Sequence, residues 1–262
     1  ARAWGENEDP AWGPDSRRIA FESHREDHRY VGIYDTRDRT VTYMAPGVDR
    51  DRDPTWSPDG SKVAFVRQPG LPFGRETEAP WWRRESASDT APGWAPEGLF
   101  ESRFEEGHEL EIWVADAGTG RGRRVWHPAP GDTLFSGVRQ IHWAGDRILF
   151  EAEVDDWRHY YSVAADGPED GEAPTLLTPG QGIVEQIDLS PDDRWLYYAT
   201  NAGDIHRRHL WRVPVDGTAE DAEQLTSGDG VETHPAVMGG GRVAHMASGA
   251  RLPRSVAVLD AG

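Results

Sequence analysis

The 262-residue sequence contains no cysteine. Disulfides, thiolate nucleophiles and cysteine-ligated zinc are therefore excluded, although the compartment is not fixed by this absence. Lysine is nearly absent as well, because Lys62 is the single lysine among 28 basic residues. Long apolar runs are also missing, since no run approaches the roughly 18 residues that a membrane-spanning helix needs. We therefore expect a protein that does not cross a membrane.

Acidic residues outnumber basic ones by 46 to 28, which gives a formal net charge of −18. Such a charge repels polyanions, so we expect neither nucleic acid nor a membrane surface as a partner. The sequence predicts a soluble bacterial protein that is cytoplasmic, periplasmic or secreted. It begins at Ala1 with neither a methionine nor a signal pattern. A preceding signal peptide, and a longer parent protein, are therefore left open.

The stretch from Asp53 to Phe65 is the unit that the chain repeats. An apolar anchor, Trp56, precedes the residues Ser57-Pro58-Asp59-Gly60. Proline fixes φ near −65°, aspartate bonds the backbone that follows it, and glycine accepts a positive φ, so these residues predict a tight turn. The apolar residues after Lys62 favour a half-buried strand. A single hairpin of this kind is marginal in water, and copies of it must stack.

Four further copies of this unit occur along the chain. They begin at Asp9, Ile141, Asp188 and His234, and the last copy matches the unit least well. A second hairpin that ends in an Asp or Gly turn follows each of the better-preserved copies. Four strands in every 40–50 residues or so are typical of β-propeller blades.

The repeat therefore predicts an all-β fold, a β-propeller with four-stranded antiparallel blades. About five blades are present, which indicates part of a seven- or eight-bladed propeller. We expect a single propeller domain over residues 1–262, with no hydrolase domain. The predicted blades cover residues 10–46, 54–126, 139–178, 185–226 and 234–260.

An insertion at residues 68–109 interrupts the second predicted blade. It contains Trp81-Trp82-Arg83-Arg84 and a third tryptophan, Trp94. This much aromatic surface argues against disorder, so we expect an ordered excursion. Either it is a flap over its own blade, or it reaches a partner domain or the mouth of the propeller. On the second interpretation, Trp81, Trp82, Arg83 and Arg84 contact a partner or substrate.

Motifs for metal or cofactor chemistry are weak. His24 and His28 lie at a hairpin tip where their spacing does not make them converge, and the repeated turn aspartates are expected to bond backbone rather than calcium. No glycine-rich phosphate loop opens a helix. Glu105 and Glu106 are neighbours, which on a strand point to opposite faces and cannot form a general acid and base pair. We expect no metal, no cofactor and no catalytic residue in this chain.

The repeated Trp-Ser-Pro-Asp-Gly unit resembles the repeat of TolB-like propellers and of the propeller domains of the prolyl-oligopeptidase superfamily. Three other stretches resemble the dipeptidyl peptidase IV and acylaminoacyl-peptidase branches of that superfamily. They are residues 153–161, residues 183–185 together with 196–201, and Glu111-Ile112-Trp113-Val114-Ala115-Asp116. The resemblance covers most of the chain.

The resemblance implies chemistry that this chain does not carry. In that superfamily a separate α/β-hydrolase domain holds a nucleophilic serine in Gly-x-Ser-x-Gly. No serine here has glycine on both sides at that spacing. The implied function is a non-catalytic propeller that caps and gates the hydrolase domain of a serine peptidase and contributes to peptide selection. The family's paired glutamates, which hold a substrate's amino terminus, are faintly matched by Glu105 and Glu106. The other interpretation of Glu105 and Glu106 is a solvated acidic turn.

The implied partners are the hydrolase domain of the same parent protein, peptide substrates and a possible second copy of the chain. The alternative from another class is a free-standing TolB-like propeller that binds proteins. A propeller-fold glycosidase is a weaker third hypothesis, because no acidic position recurs at strand starts facing the axis.

Overall fold

The computed structural model describes residues 5–25, 28–70, 103–132, 134–135, 137–167 and 173–261. The chain divides into two compact units, of which the first ends at residue 132 and lacks residues 57–59. The second comprises residues 57–59 and the chain from residue 133 onward. Nineteen strands and one short 3-10 turn at Ala219–Asp221 make up the regular structure of the described residues. The all-β prediction is confirmed.

The first unit contains two sets of four antiparallel strands. The first set is β1 (Asn7–Trp12), β2 (Arg18–His24), β3 (Arg29–Asp35) and β4 (Thr40–Tyr43). The second set is β5 (Arg50–Trp56), β6 (Lys62–Gln68), β7 (Glu111–Asp116) and β8 (Gly122–Trp126). A single parallel pairing of Arg29 with Arg50 joins the two sets into one eight-stranded sheet.

A buried apolar layer packs the two sets of strands against each other. Its residues are Val31, Ile33 and Met44 from the first set and Val63, Phe65, Ala115 and Ala117 from the second. On β6, Val63 and Phe65 both face this layer because alternate residues of a strand share a face. Full burial of one such large side chain contributes about 1.5–3 kcal/mol, which explains why a hairpin needs a stacked neighbour.

The second unit contains three sheets. The first is formed by β9 (Arg139–Ala144), β10 (Arg147–Val154), β11 (Trp157–Ala164) and β12 (Thr175–Leu176). The next is formed by β13 (Val184–Leu189), β14 (Trp195–Thr200), β15 (His209–Pro214) and β16 (Glu223–Gln224). The last has three strands among the described residues, β17 (Val231–Met238), β18 (Arg242–Gly249) and β19 (Leu252–Asp260).

Strand β14 shows how these sheets stack. Leu196 and Tyr198 lie in a buried cluster with residues of the β9–β12 sheet. Tyr197 and Ala199 lie in a different cluster, with Val243 of the last sheet. Both faces of the strand are therefore buried, which accounts for its continuous apolar sequence.

The repeated turns use aspartate as the sequence predicts. Asp15 accepts hydrogen bonds from the backbone N–H groups of Arg17 and Arg18, at 2.9 and 3.0 Å. Asp192 accepts one from the hydroxyl of Ser190 at 2.6 Å. Burial alone would raise the pKa of Asp15, but these backbone donors and Arg18 lower it to about 2. The turn carboxylates therefore bond the local chain. Among the residues that the structure describes, no helix has the length and apolarity to cross a membrane.

Candidate functional site

Of the residues that the sequence singles out, Glu105 and Glu106 are described, whereas Trp81, Trp82, Arg83 and Arg84 lie outside the described residues. The two glutamates occupy the centre of a tight turn that precedes β7. The backbone N–H of Gly107 donates to the carbonyl of Phe104 at 2.8 Å, and the N–H of Phe104 donates to the carbonyl of His108 at 3.0 Å. Both glutamate side chains are exposed.

Glycine is required where this turn closes. Gly107 has a φ of +86°, a conformation that residues with a Cβ rarely adopt. The turn holds Glu105 and Glu106 outward and places His108 inward, where it is buried. The same four-residue segment thus presents two carboxylates to solvent and one imidazole to the interior.

The pairing of β7 with β8 brings a second segment to this turn. Ile112 lies opposite Trp126, and Trp113 lies opposite Arg124. Since the strands are antiparallel, the residues before β7 and those after β8 lie at the same end of the hairpin. His127, the first residue after β8, therefore stacks on His108, with ring centroids 4.3 Å apart. Phe104 packs near His108, with ring centroids 5.0 Å apart.

Glu111, the first residue of β7, is the buried centre of the charge network. His108 Nε2 lies 2.8 Å from its Oε1, and Arg124 donates to the same oxygen at 2.9 Å. The indole N–H of Trp113 donates to the other oxygen. Burial raises the pKa of Glu111, but the donors His108, Trp113 and Arg124 outweigh that effect and the pKa is lowered. Glu111 is therefore held as a carboxylate.

Arg124 links the buried carboxylate to the exposed turn. Its guanidinium donates to Glu106 Oε2 at 2.8 Å as well as to Glu111. The hydrogen bond from Arg124 lowers the pKa of Glu106. We call Glu106, His108, Glu111, Arg124 and His127 the Arg124 cluster. It runs from a side chain that is 58% exposed, Glu106, to one that is fully buried, His108.

One ring nitrogen of His108 is hydrogen-bonded and the other is not. Its Nδ1 is buried, makes no hydrogen bond among the described residues, and lies 3.8 Å from Glu106 Oε2. The potential ligand atoms of Glu106, His108 and His127 all lie within 4.8 Å of one another. Two imidazoles and a carboxylate at this spacing are chemically able to bind a cation.

A second charged group of the same sheet is fully enclosed. Asp51 on β5 lies directly opposite Arg67 on β6, and Arg67 donates two hydrogen bonds to it at 2.7 and 2.8 Å. The guanidinium also lies over the ring of Trp113, 4.2 Å from the centroid. Burial raises the pKa of Asp51 to about 6 despite these bonds. We call these two residues the Arg67 pair.

The sequence analysis missed His108, Glu111, Arg124 and His127. The signal was present, because Glu106-x-His108 precedes one strand of a predicted hairpin and His127 follows the other. Only the register of β7 and β8 turns those separate positions into neighbours. The sequence alone predicted no metal site, because it does not show that Glu106, His108 and His127 lie close together.

Comparison with known proteins places the chain among propellers. Residues 111–242, half of the chain, match the model of the family described as the dipeptidyl peptidase IV (DPP IV) N-terminal region. A protein assigned as TolB from Agrobacterium tumefaciens is 19% identical, with a TM-score of 0.53 over 98% of this chain and 78% of its own. A protein assigned as dipeptidyl aminopeptidase IV from Bacteroides ovatus is 12% identical, with a TM-score of 0.59 over 96% of this chain.

Similarity in sequence to curated proteins is short. An uncharacterized protein of Agrobacterium fabrum is 39% identical over 57 residues, which is 22% of this chain and 18% of that protein. The chain spans 38% of the length of the Bacteroides ovatus protein. At these identities the structural likeness shows the fold, and it confirms the prediction of a β-propeller type.

Proposed function

The chain belongs to the dipeptidyl peptidase IV N-terminal region family, and from that premise we propose that it caps and gates a separate α/β-hydrolase domain of a serine peptidase. In this proposal the chain supplies peptide selection, and the hydrolase domain supplies the nucleophile. The observation that carries the proposal is the family match over residues 111–242, which includes Glu111, Arg124 and His127 of the Arg124 cluster and begins after the turn at Glu105 and Glu106.

The turn at Glu105 and Glu106 is our proposed contact with the substrate. A free peptide amino terminus is a cation with three N–H donors, and a pair of exposed carboxylates is the complementary acceptor. Glu106 is already oriented by Arg124 at 2.8 Å, so little side-chain freedom is lost when a ligand binds it. Glu105 is exposed beside it in the same turn. The ligand class is therefore a peptide with an unblocked amino end.

Peptides with and without a free amino terminus test this selection. In the longer peptidase that contains this chain, Glu105→Gln with Glu106→Gln should raise KM for a chromogenic dipeptide substrate at least about tenfold. The N-acetylated form of the same substrate should be unaffected, because it carries no ammonium group. Glu109→Gln is the matched control, since Glu109 lies in the same loop and pairs with Arg103 at 3.1 Å. An equal loss on both substrates would contradict the selection role.

We assign the aromatic segment Trp81-Trp82-Arg83-Arg84 to contact with the hydrolase domain or a second copy of the chain. The basis is its sequence alone, because an aromatic-rich segment marks an interface when its side chains are exposed. Trp81→Ala with Trp82→Ala should weaken association with the hydrolase domain and leave the melting temperature of the isolated chain nearly unchanged. A large fall in melting temperature with unchanged association would assign the segment to a local flap instead.

The alternative function is a free-standing TolB-like propeller that binds proteins. The likeness to the TolB protein over 98% of this chain is the observation that favours it. Active-site serine probes separate the two proposals. The peptidase proposal predicts labelling of the longer protein and none of this 262-residue chain. Absence of any labelled serine in the longer protein would favour the interaction propeller.

A further inference from the structure

The Arg124 cluster contains two imidazoles, those of His108 and His127, that the function proposed above does not use, and they lie beside Glu106, which that function does use. We propose that Glu106, His108 and His127 bind a first-row divalent cation of the zinc class. The inference does not depend on a peptidase function, because it concerns the isolated chain. It also departs from the expectation of no metal, which rested on sequence spacing alone.

The buried nitrogen of His108 is the first argument. Buried polar atoms in proteins nearly always have a hydrogen-bond partner, so an unpartnered one needs an explanation. His108 is 1% exposed, and its Nδ1 makes no hydrogen bond among the described residues. That atom lies 3.8 Å from Glu106 Oε2, and ligand atoms of His108, Glu106 and His127 lie within 4.8 Å of one another. A cation between them would satisfy it.

The tautomer of each histidine supports the same assignment. His108 Nε2 lies 2.8 Å from a carboxylate oxygen of Glu111, and a carboxylate can only accept, so Nε2 carries the proton. His127 Nδ1 lies 2.8 Å from the carbonyl of Pro128, so Nδ1 carries the proton there. Each ring therefore keeps a lone pair on its other nitrogen. Metal-binding histidines generally donate their second N–H to a carboxylate or carbonyl in this way.

The donor set selects the kind of cation. Two imidazole nitrogens and one carboxylate suit zinc and its neighbours, whereas calcium and magnesium prefer oxygen ligands. Three protein ligands leave a fourth position for water or a further ligand. The chain has no cysteine, so no thiolate competes for such an ion.

The geometry requires the ligand atoms to approach one another and the two rings to unstack. His108 and His127 are stacked with 26° between their planes, and each lone pair lies in its own ring plane, so His127 must turn before both nitrogens can face one ion. Ligand atoms around a tetrahedral zinc ion with bonds of about 2.0–2.1 Å lie roughly 3.3 Å apart. The three ligand atoms here lie within 4.8 Å of one another. Glu106 can supply most of the closure, because its side chain is 58% exposed and lies in a turn. Arg124 would give up its bond to Glu106 and keep the one to Glu111 at 2.9 Å.

The local charge favours a cation. Glu106 and Glu111 carry two negative charges against the single positive charge of Arg124, and the same loop adds Glu105 and Glu109 against the one positive charge of Arg103. The whole chain has a formal net charge of −18, which raises the local concentration of cations.

Titration of the untagged 262-residue chain with Zn²⁺ tests the proposal, with heat as the readout and Co²⁺ absorption as a second one. We expect one equivalent to bind, with visible Co²⁺ bands of a four-coordinate site. Glu106→Gln, His108→Gln and His127→Gln should each weaken binding at least about tenfold. Glu111→Gln, which removes the partner that orients His108, should weaken it by about 10–100-fold.

His209→Gln is the matched control. His209 Nδ1 also lies 2.8 Å from a carboxylate, that of Glu232, but no third ligand accompanies this pair among the described residues. The melting temperature of each variant without metal identifies any variant that fails to fold. Glu106→Gln changes an exposed side chain, so we expect it to fold and to report on metal binding alone. Absence of a one-to-one isotherm would overturn the proposal. Equal losses in His127→Gln and His209→Gln, or full affinity in Glu106→Gln with His127→Gln, would overturn it as well.

Discussion

The Arg67 pair and the Arg124 cluster lie in the same sheet and share Trp113. The pKa of the buried carboxylate is nevertheless raised in the first and lowered in the second. Arg67 lies over the face of Trp113, whereas the indole N–H of Trp113 donates to Glu111. Asp51 is buried with Arg67 as its charged partner, and its pKa is raised to about 6. Glu111 is also buried but has three donors, and its pKa is lowered. Asp51 accepts from one charged side chain, and the nearby carboxylates of Asp49 and Glu111 raise its pKa further, whereas three donor residues outweigh the burial of Glu111.

The Arg67 pair and the Arg124 cluster also differ in their exposure to solvent. Asp51 and Arg67 are 1% and 4% exposed, so the Arg67 pair has no side open to a ligand. The Arg124 cluster ends at the exposed Glu106 and contains the unpartnered Nδ1 of His108. We infer that the Arg67 pair contributes to the fold and that the Arg124 cluster is available for binding.

Removal of Arg67 should give the largest effect. Arg67→Met leaves Asp51 buried without a cation, which we expect to destabilise the chain by about 3–5 kcal/mol. Arg67→Met combined with Asp51→Leu should recover most of that loss, because no uncompensated charge remains. Denaturant unfolding of both variants measures the difference. A double variant no more stable than the single one would remove the distinction between the two groups.

Removal of the charge at Glu111 should cost less. Glu111→Gln keeps one oxygen acceptor but leaves His108, Trp113 and Arg124 with a weaker partner, so we expect a loss of about 1–3 kcal/mol. The same denaturant unfolding measures it. A loss of unfolding free energy as large as that of Arg67→Met would mean that the Arg124 cluster contributes to the fold as much as the Arg67 pair does.

The pH dependence of stability should have opposite signs at the two carboxylates. The pKa of Asp51 is raised from 3.8 to about 6, so its contribution is fully present below 3.8 and is lost as the pH rises through 6. The pKa of Glu111 is lowered, so its contribution is present above 4.5 and is lost as the pH falls through the folded value. Each slope is at most about 1.4 kcal/mol per pH unit.

Unfolding free energies between pH 3 and 7 or so, for the unmodified chain and for Asp51→Asn and Glu111→Gln, measure these two slopes. Asp51→Asn should remove a fall in stability as the pH rises from 4 to 6, within the window that the raised pKa of Asp51 defines. Glu111→Gln should remove a fall in stability as the pH drops below 4.5, the ordinary pKa of glutamate. Slopes of the same sign in both variants would contradict the comparison.

The smallest effect on stability is expected at Glu106. Its side chain is exposed and its bond to Arg124 is screened by solvent, so Glu106→Gln should leave the melting temperature unchanged within error. Thermal unfolding without metal measures it. A clear fall in melting temperature would show that the turn contributes to the fold, and the binding role of the Arg124 cluster would lose support.

Sequence reasoning succeeded where the determinants are local. Asp15 and Asp192 bond the residues that follow them in their turns, so sequence spacing alone indicated their role. The apolar residues after Lys62 likewise indicated a strand with a buried face, and Val63 and Phe65 of β6 lie in a buried cluster. These features need no knowledge of how distant segments pair.

Sequence reasoning identified only part of the candidate site. Glu105 and Glu106 were found as an acidic turn, but Glu106 accepts a hydrogen bond from Arg124 and lies 3.8 Å from His108 Nδ1. Arg124 lies on β8, the strand next to β7. The bulge between these two strands places Arg124 opposite Trp113. Asp51 and Arg67 meet through the register of β5 and β6 in the same manner. Strand register is a tertiary property, so neither group of contacts was predictable.

The central claim is that the Arg124 cluster is open to a ligand and the Arg67 pair is closed. Two-dimensional amide NMR spectra of the ¹⁵N-labelled chain, recorded during a Zn²⁺ titration, test it most directly. We predict that shifts concentrate at residues 104–108, at His127 and at the indole N–H of Trp113, while the amides of Asp51 and Arg67 stay in place. Shifts centred on another histidine, or spread equally over both groups, would contradict the claim.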